Sequence, residues 1–199
     1  MRIVGLLGGV ASGKSLVARQ LAALGAGVLD ADAAGHAALR LPAVEAAARQ
    51  RWGGRVFGPD GRIDRARLAE VVFAPTAAAA AERAFLEQLT HPEIARLLAR
   101  QTDQFAAEGK TVAVLDAPLL LEAGWQTLCQ TLVFVDAPRE RRLQRALGRG
   151  WTADDFADRE RAQWPPEQKQ ARADWTIDNS GPAEDTERQV QWLWGLISE

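Results

Sequence analysis

The stretch Gly8-Gly9-Val10-Ala11-Ser12-Gly13-Lys14-Ser15 decides how this chain is read. It follows the apolar run Ile3-Val4-Gly5-Leu6-Leu7. It precedes Leu16 to Leu24, where Val17, Leu21 and Leu24 share one helical face. The order is buried strand, glycine-rich loop, helix. The loop fits G-x-x-x-x-G-K-[ST], the phosphate-binding loop of proteins that hydrolyse or transfer nucleotide phosphates. Its spacing has a physical cause. Gly8 and Gly13 permit backbone angles that other residues avoid, so successive N–H groups can turn inward on an anion. The helix N-terminus adds unpaired N–H groups and the positive end of its dipole. Lys14 is placed to reach the β- and γ-phosphates, and the Ser15 hydroxyl to hold Mg²⁺. The pattern implies a nucleoside triphosphate with magnesium and leaves the acceptor open.

Bulk properties narrow the class. The chain has 199 residues, 47% hydrophobic and 25% charged, which suits one soluble domain with a small insertion. A net charge of −2 gives no global basic field for nucleic acid or an anionic membrane. The one cysteine, Cys129, excludes an internal disulfide and cannot build a metal cluster alone. Both facts suit a reducing cytosol, with Cys129 as a small core or loop residue. The first apolar run is too short for a signal peptide, and no stretch approaches the roughly 20 apolar residues of a membrane span. A cytoplasmic monomer is expected, with a small homo-oligomer as the alternative.

Further along, Gly25 and Gly27 end the first helix, and Val28-Leu29 forms a short second strand with Asp30 and Asp32 at its carboxyl end. Ligands of open α/β sheets bind outside the carboxyl ends of the strands, so these aspartates belong on the rim of the phosphate loop. From Ala33 to Phe105 the pattern is helical: Pro42 to Trp52, Asp64 to Phe73, Thr76 to Leu89 and Pro92 to Phe105, with turns at Gly53-Gly54 and Gly58 to Gly61. This is too much helix for one crossover and reads as an insertion for a second substrate. Strands follow at Thr111 to Asp116 and Leu132 to Asp136. Pro138 opens a helix with five arginines (Arg139, Arg141, Arg142, Arg145, Arg149) against one acid, Glu140. Another helix spans Trp151 to Trp164, and a fifth strand, Trp175-Thr176-Ile177, runs into Asp178-Asn179. The last helix, from Pro182, carries Val190, Leu193, Trp194 and Ile197; Trp192 and Trp194 read as packing residues. Alternating strands and helices imply a parallel, doubly wound sheet.

Phosphoryl transfer needs a triphosphate cradle, a metal, positive charge on the moving group, and a group that orients the acceptor hydroxyl. The loop offers the first two. The arginine helix is the best source of the third, with a solvated basic face as the plain alternative. For the fourth, Asp32 and Asp30 compete with Asp116. A strand-end carboxylate can accept the acceptor's proton, Asp32 can simply cap the next helix, and Asp116 can act through metal-bound water. His91 precedes Pro92 at an expected helix start, where a histidine is commonly a cap or core residue.

From Ile3 to about Gly181 the sequence resembles the dephospho-coenzyme A kinases. The matching stretches are Gly5 through Ser15, Asp30-Ala31-Asp32, Gly61-Arg62-Ile63-Asp64-Arg65 with Leu68 and Val72-Phe73, and His91-Pro92. Later come Asp116-Ala117-Pro118-Leu119-Leu120 with Glu122, Gln144-Arg145 with Arg149, Gln163 with Lys169, Ala173-Asp174, and Ile177 with Asn179 and Gly181. Their order and spacing together make the resemblance specific. It implies transfer of the ATP γ-phosphate to the ribose 3′-hydroxyl of dephospho-coenzyme A, with Mg²⁺. It also implies a three-layer P-loop NTPase fold, α/β with a parallel five-stranded sheet: a nucleotide core (about 1–32, 110–138 and 173–199), a helical coenzyme-A-binding insertion (about 33–109) and a helical lid (about 139–172).

Residue by residue, the resemblance makes Asp32 the catalytic base, with Lys14, Arg145 and Arg149 on the phosphates. Gly8, Gly9, Ala11, Ser12, Gly13, Lys14, Ser15 and Leu16 hold the nucleotide, Asn179 lies near the adenine, and Ser15 binds the metal. Asp32, His91, Asp116, Pro118 and Leu119 face the acceptor. There are departures. Ala11 stands where the family usually has glycine, and Leu7 and Leu16 where threonine is common. Gly150-Trp151 follow Arg149 in place of the usual aspartate or asparagine. Ala11 is small and the motif's own glycines are intact, so nucleotide binding is expected to survive. Rival readings are a kinase for a nucleotide or a sugar acid, which would lack His91-Pro92 and Asp116 to Leu120, and a nucleotide switch, which would want an Asn-Lys-x-Asp that is absent from the sequence.

Overall fold

The computed structural model describes residues 1–74 and 76–198. Pro75, within the expected insertion, and Glu199, at the end of the expected core, lie outside the described residues. The chain divides into two compact units: residues 1–30 with 101–199, and residues 31–100.

The first unit is built on strands β1 (Arg2–Leu7), β2 (Gly27–Asp30), β3 (Val112–Asp116), β4 (Thr131–Asp136) and β5 (Trp175–Asp178). They form one sheet in the order β2-β3-β1-β4-β5, with parallel pairing throughout. Residues Val112 to Leu115 are all fully buried, as expected for a parallel strand covered on both faces. One core packs Val4 and Leu6 of β1 with Val17 and Leu21 of helix α1 (Lys14–Ala23). Val190, Leu193 and Ile197 of helix α9 (Ala183–Ile197) close it with an i, i+3, i+7 stripe. Trp194 packs partly buried against this core. Trp192 does not: it is 58% exposed, edge-to-face with Trp175 on the edge strand. Cys129 is half-buried.

Register sets the rim. Asp116 of β3 pairs with Leu6 of β1 and with Asp30 of β2, so Asp30 and Asp116 end neighbouring strands. The chain leaves β1 for strands on one side and later reaches β4 on the other. Such a switch point opens the ligand crevice at the carboxyl ends, and the loop after β1 lies there.

The same unit holds helices α6 (Arg139–Leu147), α7 (Ala153–Arg161) and α8 (Pro166–Gln170). The expected Trp151 to Trp164 helix is shorter because Thr152 and Asp155 form a capping box at its start.

The second unit contains α2 (Ala31–Ala38), α3 (Pro42–Trp52), α4 (Arg65–Val72) and the start of α5 (Ala79–Ala107). Asp64 caps α4 by accepting from the Ala66 and Arg67 N–H groups. Its core holds Val44, Trp52, Phe57, Ile63, Leu68 and Val72. Gly53-Gly54, expected as a turn, begins a short 3₁₀ segment, Gly53–Val56. One expectation fails. Pro92 does not start a new helix but lies inside α5. It removes one backbone bond, at a cost of about 3 kcal/mol in a helix interior. Burial on both sides offsets that: Phe85, Leu86 and Leu89 pack before it, and Ile94 and Leu98 are buried after it. His91 is therefore mid-helix rather than at a helix start.

Candidate active site

The loop between β1 and α1 has the geometry its sequence implies. Gly13 has φ 108°, and a Cβ there would stand 2.0 Å from Asn179 Nδ2. Gly8 has φ 152°, and its Cβ would meet Ser12 Oγ at 2.5 Å. A side chain at either place would collide with the groups packed against the loop. Helix α1 has Gly13 at its N-cap and no side-chain cap, unlike α4 and α7, which Asp64 and Thr152 cap; its first turn carries no acid. Its N-terminus is thus left open to an anion. The Leu16 N–H donates to the Gly13 carbonyl at 2.9 Å. The Ser12 hydroxyl is buried and has no hydrogen-bond partner among the described residues. An orphaned buried donor beside open helix N–H groups fits a phosphate oxygen.

Lys14 is buried, and its Nζ donates to the Gly8 and Gly9 carbonyls at 3.3 Å each. Burial lowers its pKa to about 8; Asp116 opposes this and Lys169 adds to it. A cation held at that cost, with the Gly8 and Gly9 carbonyls as its hydrogen-bond acceptors among the described residues, is poised for a stronger anionic partner. The Ser15 hydroxyl donates to Asp116 Oδ2 at 2.9 Å. This pair fits magnesium, which takes few protein ligands and keeps water and substrate oxygens. No cluster of three or more His, Cys, Asp or Glu side chains exists among the described residues.

After β3, Pro118 is half-buried and Leu119 is 44% exposed. The Pro118 carbonyl accepts from Lys169 Nζ at 3.3 Å, and Glu122 pairs with the same nitrogen at 3.0 Å. Glu122 also accepts the Trp164 N–H at 2.7 Å, and Gln163 accepts from Lys169 at 3.0 Å. Lys169 is thus a buried knot joining the loop after β3 to the segment after α7.

The two expected lid arginines differ. Arg145 donates to the Ser12 carbonyl at 2.9 Å and the Asn179 carbonyl at 2.7 Å. Burial, then Arg141 and Arg149, lower its pKa. Arg149 is exposed in the turn after α6. Asn179 is buried; its Nδ2 donates to the Ser12 carbonyl at 2.7 Å and its Oδ1 accepts from Thr186 at 3.0 Å. One end of its amide holds the loop, and Thr186 of α9 fixes the other. Asp32 lies in the first turn of α2, exposed, two residues past the end of β2. It is inside the helix rather than its cap. His91 is half-buried in α5. Both belong to the second unit, whereas the other expected site residues share the first.

Sequence reasoning gave Arg142 no separate role, and Glu160 none. Arg142 is 5% exposed and bonds to Val10, Ala137 and Glu160. The one available signal was the i, i+3, i+7 spacing of Arg142, Arg145 and Arg149 on one helical face.

The family model for dephospho-CoA kinase matches residues 2–185. The dephospho-CoA kinase of Anaeromyxobacter dehalogenans is 41% identical over 187 residues, 92% of this chain and 86% of that protein. That of Bacillus licheniformis is 37% identical, covering 99% of this chain and 98% of the other. Among solved structures, TT1252 from Thermus thermophilus superposes with a TM-score of 0.84 at 34% identity, covering 100% of this chain and 98% of that one. Shikimate kinase from Acinetobacter baumannii shares the fold at 16% identity and a TM-score of 0.52, over 99% and 93% of the two chains. With the phosphate loop, the parallel sheet and a match along nearly its whole length, this chain belongs to the dephospho-CoA kinase family.

Proposed function

We propose that this chain transfers the γ-phosphate of ATP to the ribose 3′-hydroxyl of dephospho-CoA, giving coenzyme A and ADP. One observation carries phosphoryl transfer: the Ser15–Asp116 hydrogen bond, which joins the phosphate loop to a strand-end acid. Family membership carries the choice of acceptor.

Residues 8–16 hold the triphosphate through backbone N–H groups, and Lys14 exchanges its two loop carbonyls for phosphate oxygens. Ser15, supported by Asp116, would hold Mg²⁺, which supplies charge neutralisation on the phosphates when bound. Arg149 supplies charge to the transferring group, while Arg145 acts through the Ser12 carbonyl as well as by its own charge. Asn179 places the nucleotide by holding Ser12. Asp32 accepts the 3′-hydroxyl proton; its support is the family resemblance and its place just past the rim strand β2. The family resemblance is the support for acceptor-binding roles of Asp116, Pro118, Leu119 and His91. Residues 33–109 act as the coenzyme-A-binding insertion and 139–172 as the lid. Among the described residues no helix is long and apolar enough to cross a membrane; the family resemblance supports a cytoplasmic protein working on small molecules, and a monomer is the proposed state.

The test is ADP release with a panel of acceptors. Turnover with dephospho-CoA and little with shikimate, gluconate or nucleoside monophosphates is expected. A preference for any of the others would overturn the acceptor assignment.

A further inference from the structure

In a phosphate loop whose N–H groups turn toward an anion, the carbonyls must face the other way and find donors of their own. Two carbonyls here meet guanidinium groups: Val10 that of Arg142, at 3.3 Å, and Ser12 that of Arg145, at 2.9 Å. Between them sits Ala11, with φ 57°, the only non-glycine residue of positive φ among the described residues. An alanine adopts that conformation only under constraint.

Arg142 is built into the loop's surroundings. Its Nε donates to the Ala137 carbonyl at 3.1 Å, and its Nη1 reaches Glu160 of α7 at 2.6 Å. A Cβ on Gly9 would lie 2.8 Å from the same Nη1. Around it, Val10 packs with Ala146 of α6 and Phe156 of α7, with Ala11 at the edge of the cluster. Glu160 also pairs with Arg139 at 3.0 Å, so it keeps a partner if Arg142 is lost.

We propose that Arg142 is a positioning residue for nucleotide binding: it anchors the Val10 carbonyl, keeps Ala11 in its left-handed conformation, and ties the loop to α7 through Glu160. The inference rests on the reading of residues 8–15 as the nucleotide site. It gives the departure at Ala11 a physical companion. Where a glycine would take the conformation freely, this chain holds an alanine there with a buried arginine.

The test is a double-mutant cycle read by calorimetric titration of ATP with Mg²⁺, alongside thermal unfolding. Arg142→Met is expected to unfold cooperatively and to bind ATP roughly tenfold more weakly, the scale set by the strain of one left-handed alanine. Ala11→Gly removes that strain, so the Arg142→Met penalty should shrink at least about threefold in its presence. Arg142→Lys keeps the charge and loses the planar fork. It should show the same coupling to Ala11→Gly, and it carries the test if the methionine variant misfolds. Unchanged ATP affinity in both Arg142 variants, or a penalty equal in both backgrounds, would overturn the inference while leaving the nucleotide site intact. Wild-type protein that binds no ATP would overturn the nucleotide reading itself, and this inference with it.

Discussion

The Ser15 hydroxyl donates to Asp116 Oδ2 at 2.9 Å, joining residues 101 positions apart in the chain. The contact exists because Leu6 and Asp116 are paired across β1 and β3, which brings the loop after one strand beside the last residue of the other. Asp116 thereby orients the one hydroxyl expected on the metal. Outer partners of this kind are worth about 10–100-fold in metal affinity. Asp116→Asn should raise the Mg²⁺ concentration for half-maximal rate by that order. An unchanged magnesium dependence would make the contact purely structural.

Lys14 is held buried with its pKa lowered to about 8, a desolvation cost carried by the protein alone. Lys14→Met keeps the stem and removes the charge. Activity should vanish while thermal stability holds or rises, because a buried cation is no longer desolvated. A lost cooperative transition would mean that Lys14 is a core residue.

Asp32→Asn keeps shape and cannot take a proton. ATP should still bind, with turnover down by about 10²-fold or more. Near-normal turnover would pass the base to Asp30 or Asp116, which end neighbouring strands on the rim.

Arg149 is the exposed arginine of the pair, so its charge can reach the transferring group if residues 139–172 act as the proposed lid. Interactions made only in the transition state raise kcat; uniform ones lower KM. Arg149→Lys should lower kcat clearly with at most a several-fold change in KM for ATP. Arg149→Ala should lose roughly 10³-fold in kcat. A raised KM at constant kcat would make Arg149 a docking residue.

Burial pushes the Cys129 thiol from 9.0 up to about 12. Between those values the unfolded chain loses a proton that the native chain keeps. The stability this provides is complete below pH 9.0 and lost as pH rises toward about 12. Native protein should therefore react slowly with a thiol reagent at pH 8, and its rate should still climb through pH 10. A rate that levels off near pH 9 would show an ordinary, solvated thiol.

Much of this was legible in the sequence because the signals are local. The strand–loop–helix order around Gly8 to Ser15 and the apolar runs of the sheet follow from neighbours within a few residues. Pro92 misled because its helix is held by Ile94 and Leu98 on one side and Leu86 and Leu89 on the other, a tertiary override of a local breaker. Lys169 and Glu122 were visible as family-like residues, but no periodicity announces that they form a buried pair at 3.0 Å. Arg142 was hidden among exposed arginines, since its burial depends on Glu160 and Phe156 of the next helix.

The most direct measurement follows the phosphate itself. The enzyme, γ-labelled ATP, Mg²⁺ and dephospho-CoA are mixed, and the labelled product is separated and its phosphate located by NMR. Label on the ribose 3′-oxygen of coenzyme A, lost on omission of dephospho-CoA, is the expected result. Label released as inorganic phosphate, or placed on another acceptor or another oxygen, would contradict it.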